Sequence, residues 1–126
     1  MWNTLLATVF TVVFTSTSFA IPLKIHCPYP HGKTLYKNSY VYVDSTTLSG
    51  VLLHKQTNAS GIIHLPKKFI NQTARIYLTF PKKPNIAIPG CSTVPLKITE
   101  GLNIINFKGS GSTMDCGIVS PICAPE

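Results

Sequence analysis

Acidic residues are nearly missing from this chain. Asp44, Glu100, Asp115 and Glu126 stand against eleven Lys and Arg in 126 residues, a formal net charge of +7. A glycosidase needs two carboxylates facing each other in a cleft, and four scattered acids give little scope for one. Arginine is scarce too. Arg75 stands alone, where readers of nucleic acid use several for bidentate contacts. The lysines never exceed two in a row, so the charge reads as solvated surface and no nucleic-acid partner is expected. Such a surface still favours acidic partners in general. No phosphate loop, nucleophile-elbow serine or C-x2-C pair occurs in the sequence, so it offers no recognised catalytic motif, cofactor site or zinc site.

Long apolar runs are confined to the first twenty residues, MWNTLLATVFTVVFTSTSFA. Leu5 to Phe14 is apolar, and Ser18-Phe19-Ala20 satisfies a small-x-small cleavage rule. Thr4, Thr8 and Thr11 dilute the segment, whereas a bilayer span needs about 20 predominantly apolar residues. Residues 1–20 are therefore read as a cleaved signal peptide, although its start lacks Lys and Arg. The mature protein then begins at Ile21, is secreted to the extracellular space and has no membrane span.

Four cysteines follow: Cys27, Cys91, Cys116 and Cys123. An even count in a small secreted chain points to two disulfides. Three pairings are open. The preferred one closes Cys116–Cys123 locally, because Gly117 and Pro121 can bend "CGIVSPIC", and leaves Cys27–Cys91.

Helical periodicity is absent. Apolar residues instead recur with period two, between turns rich in Pro and Gly. Ile21–His26 opens extended. "SYVYVDS" alternates tyrosine with valine, a pairing that suits a pleated surface. "ARIYLTF" sets Ala74, Ile76, Leu78 and Phe80 on one face. "VPLKITE" sets Val94, Leu96 and Ile98 inward, with Pro95 marking an edge or bulge, and the turn Glu100-Gly101 links it to "LNIINF". About six or seven short strands in one all-β antiparallel sandwich are expected over residues 21–108. Residues 109–126 form an irregular tail tied back by disulfide. Lys67-Lys68 and Lys82-Lys83 flank "ARIYLTF" as charged guards against aggregation.

"HKQTNASGIIHLP", residues 54–66, reads as a hairpin. With Gly61 left-handed after a type I turn, Gln56 faces His64, and Val51, Leu53, Ile63 and Leu65 point to the core. His54 and His64 then share the outer face as exposed strand residues. Asn58 and Asn71 both begin N-x-S/T glycosylation triplets at predicted turns.

The opening of the chain resembles transthyretin-like (prealbumin-type) extracellular β-sandwich domains. A cysteine ends the first strand, Gly32-Lys33 precedes "NSYVYVDS", and "TNASGIIHLP" follows with Thr57, Gly61 and Leu65 at the hairpin positions. Asn58 replaces the usual acid. The resemblance covers about residues 21–65 and implies a non-enzymatic binding or bridging module, with no catalytic residue to carry over.

The function expected is therefore a small secreted binding protein, with no catalytic activity, no cofactor and no metal. Its partner would be an extracellular or host protein or a glycan, and it would act as a monomer, with an effector at a host interface as the sharpest form. Tyr29, Tyr36, Tyr40 and Tyr42 are the candidate contact residues, since tyrosine gives contact area at low entropic cost. Two alternatives are a secreted ribonuclease-like protein drawing on His26, His31, His54, His64, Glu100, Arg75 and Tyr29, and a polysaccharide binder using Lys and Tyr.

Overall fold

A computed structural model of the chain describes residues 20–28, 33–107 and 114–125. The expected signal peptide, Tyr29, His31 and the linker before Met114 lie outside the described residues. Ten strands occur among those described: β1 Ile21–Ile25, β2 Leu35–Tyr36, β3 Tyr40–Ser45, β4 Leu52–Gln56, β5 Ile62–Leu65, β6 Thr73–Phe80, β7 Lys83–Ser92, β8 Leu96–Lys97, β9 Asn103–Ile105 and β10 Cys123–Ala124. The large sheet runs β4-β3-β6-β7, with β8 also on β6; the small sheet runs β5-β1-β9, and β10 pairs with β2. The fold is a disulfide-stabilised all-β sandwich, as expected, with more strands than the sequence suggested because β2, β8 and β10 are only two residues long.

Period-two alternation sets what each strand buries. Val41 and Val43 of β3, Ala74, Ile76 and Leu78 of β6, Ile21, Leu23 and Ile25 of β1, and Ile63 and Leu65 of β5 all face one core. Tyr36, Phe69 and Phe107 are its largest members. Fully burying each such aliphatic or aromatic side chain stabilises the fold by about 1.5–3 kcal/mol.

Residues 54–66 turn as expected but do not form a hairpin. Gly61 is left-handed at φ 73°, its N–H donates to Asn58 O at 3.0 Å, and Asn58 N–H donates to Ile62 O at 3.0 Å. Beyond the turn the strands part: β4 pairs with β3, Tyr42 opposite His54, while β5 pairs with β1, Pro22 opposite His64. The turn is an arch between sheets. Local pattern cannot separate the two cases, because an alternating strand buries the same residues whichever edge it joins. Thr57 secures the crossing: its N–H donates to Ser39 O at 2.8 Å and its Oγ1 accepts from Ser39 N–H at 2.9 Å.

Three other expectations are corrected. "LNIINF" does not return beside "VPLKITE"; β9 crosses to the small sheet and pairs parallel with β1. Val94 is exposed and Leu96 only half-buried, with Ile98 alone of the three inward. Thr93 takes the ladder position instead, its Oγ1 accepting from Ile76 N–H at 3.0 Å and its own N–H donating to Ile76 O at 2.9 Å. The absence of helix is also incomplete, since Met114–Ile122 winds as a 3-10 segment.

That segment decides the disulfides. They join Cys27 to Cys123 and Cys91 to Cys116, with Cα separations of 6.1 and 5.2 Å, not Cys116 to Cys123. A 3-10 turn rises about 2 Å per residue, so cysteines seven apart stand about 14 Å apart, beyond disulfide reach. The two bridges span 96 and 25 residues of sequence. Closing loops of that size stabilises the fold by about 3–5 kcal/mol each on the chain-entropy account.

Candidate functional site

β7 is the strand that shapes the surface. Pro84, Pro89 and Gly90 argue against a strand in the sequence, yet an edge strand tolerates prolines, which lack an N–H, because its free side has no neighbour to receive one. Against β6, Lys83 pairs with Phe80 and Ala87 with Thr79, so Pro84, Asn85 and Ile86 have no counterpart and bulge outward. The bulge folds toward the outer face of the large sheet. There the Pro84 carbonyl accepts from His54 Nε2 at 2.7 Å, and the Asn85 carbonyl accepts from the Tyr42 hydroxyl at 2.7 Å.

His54 itself is fixed by stacking. Its ring centroid lies 4.5 Å from that of Tyr42 and 5.0 Å from that of Tyr40, at interplanar angles of 24° and 23°. Cross-strand register brings this about, since Tyr42 stands directly opposite both His54 and Tyr77. These rings lay their faces on one another and under the bulge, so they do not form the open platform that sugars stack upon.

On its other side the bulge helps to line a groove of about 560 Å³. Phe80, Pro81, Lys82, Lys83 and Ile86 come from the β6–β7 hairpin, and Ile118 and Pro121 come from the 3-10 segment. Ile86 and Ile118 are 49% and 47% exposed, high for isoleucine. Among the described residues the lining contains no acid, and Lys82 and Lys83 supply its charge. The 3-10 wall is stapled at both ends. Cys116 joins it to β7, Cys123 joins it to the end of β1, β10 pairs with β2, and Lys37 Nζ donates to Pro125 O at 2.7 Å. Buried Val119 holds its middle against the core.

The residues expected to act are mostly dispersed. Tyr36 is fully buried and is no contact residue; its hydroxyl donates to Tyr40 O at 2.8 Å. Burial pushes its phenol above the ordinary 10.0, hydrogen bonds at Thr79 opposing in part. Tyr40 and Tyr42 are half-buried in the stack. His54 faces outward from the large sheet and His64 from the small one, on opposite sides of the sandwich. Half-buried His26 bridges to Leu35, and Glu100 is exposed at the bend after β8. Arg75 stands opposite Asp44 in register. No group of three or more His, Cys, Asp or Glu that could hold a metal ion occurs among the described residues.

Sequence reasoning passed over the groove. Its signals were present: isoleucines in "NIAIPG" and "CGIVSPIC" that fit no amphipathic pattern, beside a lysine pair read only as a guard. Asn58 and Asn71 are exposed, as a glycan acceptor must be, and neither lines the groove. Among the described residues no helix is long and apolar enough to cross a membrane. In comparisons with known proteins, no family model, no curated protein and no solved structure matches this chain.

Proposed function

We propose that this chain is a small secreted, glycosylated, non-enzymatic binding protein that holds its ligand in the groove between the β6–β7 hairpin and the 3-10 segment. One observation carries the reading: an apolar concavity of about 560 Å³ whose 3-10 wall is held by two disulfides. Ligand sites are typically pre-formed apolar clefts of about 300–1,000 Å³ with a few polar groups. An apolar groove costs stability in water, and covalent staples let a small domain keep one open. Two disulfides fit an extracellular setting, and exposed acceptor turns at Asn58 and Asn71 fit glycosylation there. A binding role is also what the resemblance to transthyretin-like domains implies, and an effector at a host surface is one form of it.

The test is a titration of the oxidised protein spanning residues 21–126 with Nile red, a neutral apolar dye. Saturable one-to-one fluorescence, weakened about tenfold or more by Ile118→Asp because the new carboxylate must lose water, supports the groove. Ile118 is half exposed, so the substitution leaves the fold intact. Absence of dye binding, or equal binding by the variant, contradicts it.

A further inference from the structure

Resting on that reading, we infer that the groove takes a small amphiphile with an apolar body and an anionic head, its body along Phe80, Ile86, Ile118 and Pro121 and its head at Lys82 and Lys83. Phe80, Ile86, Ile118 and Pro121 line one concavity together with Lys82 and Lys83. Phe80 and Lys83 pair across a two-residue turn, Pro81-Lys82, so both lysines sit together at the hairpin tip beside the groove. Among the described residues neither ammonium has a hydrogen-bonding or ion-pair partner, and no carboxylate of the lining competes for them. A cationic head would meet two like charges, and a neutral head would leave both uncompensated.

Two other recesses among the described residues carry less weight. The shallow recess of Tyr42, Asp44, Leu52, Tyr77 and Ala87 is smaller, at about 400 Å³, and lies open on the sheet face. The small recess beside Tyr36, at about 100 Å³, is too tight for more than a few atoms. The exposed Val94, Leu102 and Ile104 form no cavity among those described. A carboxylate, phosphate or sulfate head presents the same chemistry to two lysines, so the three form one ligand class.

The experiment is isothermal titration of the oxidised protein spanning residues 21–126 with monomeric dodecanoate, dodecyl phosphate, dodecanol and dodecyltrimethylammonium, each below its micelle threshold. Nile red displacement serves as the second readout. The anionic pair should bind and displace the dye, with affinity falling about fourfold per methylene removed. Replacing both lysines by glutamine should weaken the anions about tenfold, roughly what two exposed ion pairs contribute, and leave dodecanol unchanged. If dodecanol or the ammonium amphiphile binds as tightly as dodecanoate, the anionic assignment is overturned while the groove stands. If no amphiphile binds and Nile red does not either, the groove reading itself falls. Binding to anionic phosphatidylserine vesicles without binding of any monomeric amphiphile overturns the assignment in favour of a membrane surface.

Discussion

His54 Nε2 lies 2.7 Å from the carbonyl oxygen of Pro84, joining one edge of the large sheet to a bulge on the strand at the other end of its order. A carbonyl can only accept, so Nε2 carries the proton in this contact. The bond, with that of Tyr42 to Asn85, pins the bulge from which Ile86 lines the groove. The outer-face aromatics thus position the candidate site without lining it. His54→Ala removes one hydrogen bond and two ring contacts and should cost about 1–2 kcal/mol of stability. Faster amide exchange at Asn85 and Ile86, with weaker Nile red binding, is the expected signature. Unchanged exchange there would show that the bulge holds itself.

Gly61 and Gly50 offer a matched pair. Both are left-handed, at φ 73° and 74°. A Cβ on Gly61 would stand 3.2 Å from Leu35 Cβ and 3.4 Å from Ile25 O, whereas one on Gly50 meets nothing within 4 Å. Gly50→Ala should cost about 1 kcal/mol, the left-handed penalty alone. Gly61→Ala should cost about 2 kcal/mol or more, since crowding adds to it. Urea unfolding of the two variants compares them directly. Equal losses would mean that the arch gives way easily.

Much of the architecture was written in the sequence, and its failures share a cause. The inward sets of β1, β3, β5 and β6 follow from alternation, which is a local property. Which edge each strand joins is not local. β4 and β5 were expected to pair because Asn58 to Gly61 makes a good turn, but the same turn serves an arch. β7 was hidden by its prolines, which an edge strand accommodates, and with it went the bulge and half the groove. The preferred disulfide assumed that Gly117 and Pro121 bend the chain back, whereas the segment extends as a 3-10 turn and sends its cysteines to different partners. In sequence, buried Tyr36 reads like the half-buried Tyr40 and Tyr42 because tyrosine serves both roles.

The staples should be separable. Replacing Cys91 and Cys116 by alanine removes a bridge spanning 25 residues and should cost about 3 kcal/mol, with weaker Nile red binding as the groove wall loosens. Removing Cys27 and Cys123 should cost more, since that bridge spans 96 residues. Peptide mapping under non-reducing conditions should recover Cys27–Cys123 and Cys91–Cys116. A Cys116–Cys123 peptide would contradict the structure.

Tyr36 sets an alkaline limit. Its phenol is raised above 10.0 by burial, so above that pH the folded state holds a proton that the unfolded state releases. Its contribution is complete below pH 10 and is lost as pH climbs through the raised value. Tyr36→Phe should cost about 1 kcal/mol at neutral pH through the lost bond to Tyr40 O. It should also flatten the decline of stability as pH rises above 10. Parallel pH profiles for the two proteins would place the alkaline sensitivity in another group.

The central claim is that the groove beneath the β7 bulge is where this protein binds. An amide NMR titration of the oxidised protein with dodecanoate tests it residue by residue. The account predicts saturable shifts at Lys82, Lys83, Ile86 and Ile118, with the Asn58–Gly61 turn unmoved. Shifts centred on Tyr40, Tyr42 and Tyr77, or none at all, would contradict it.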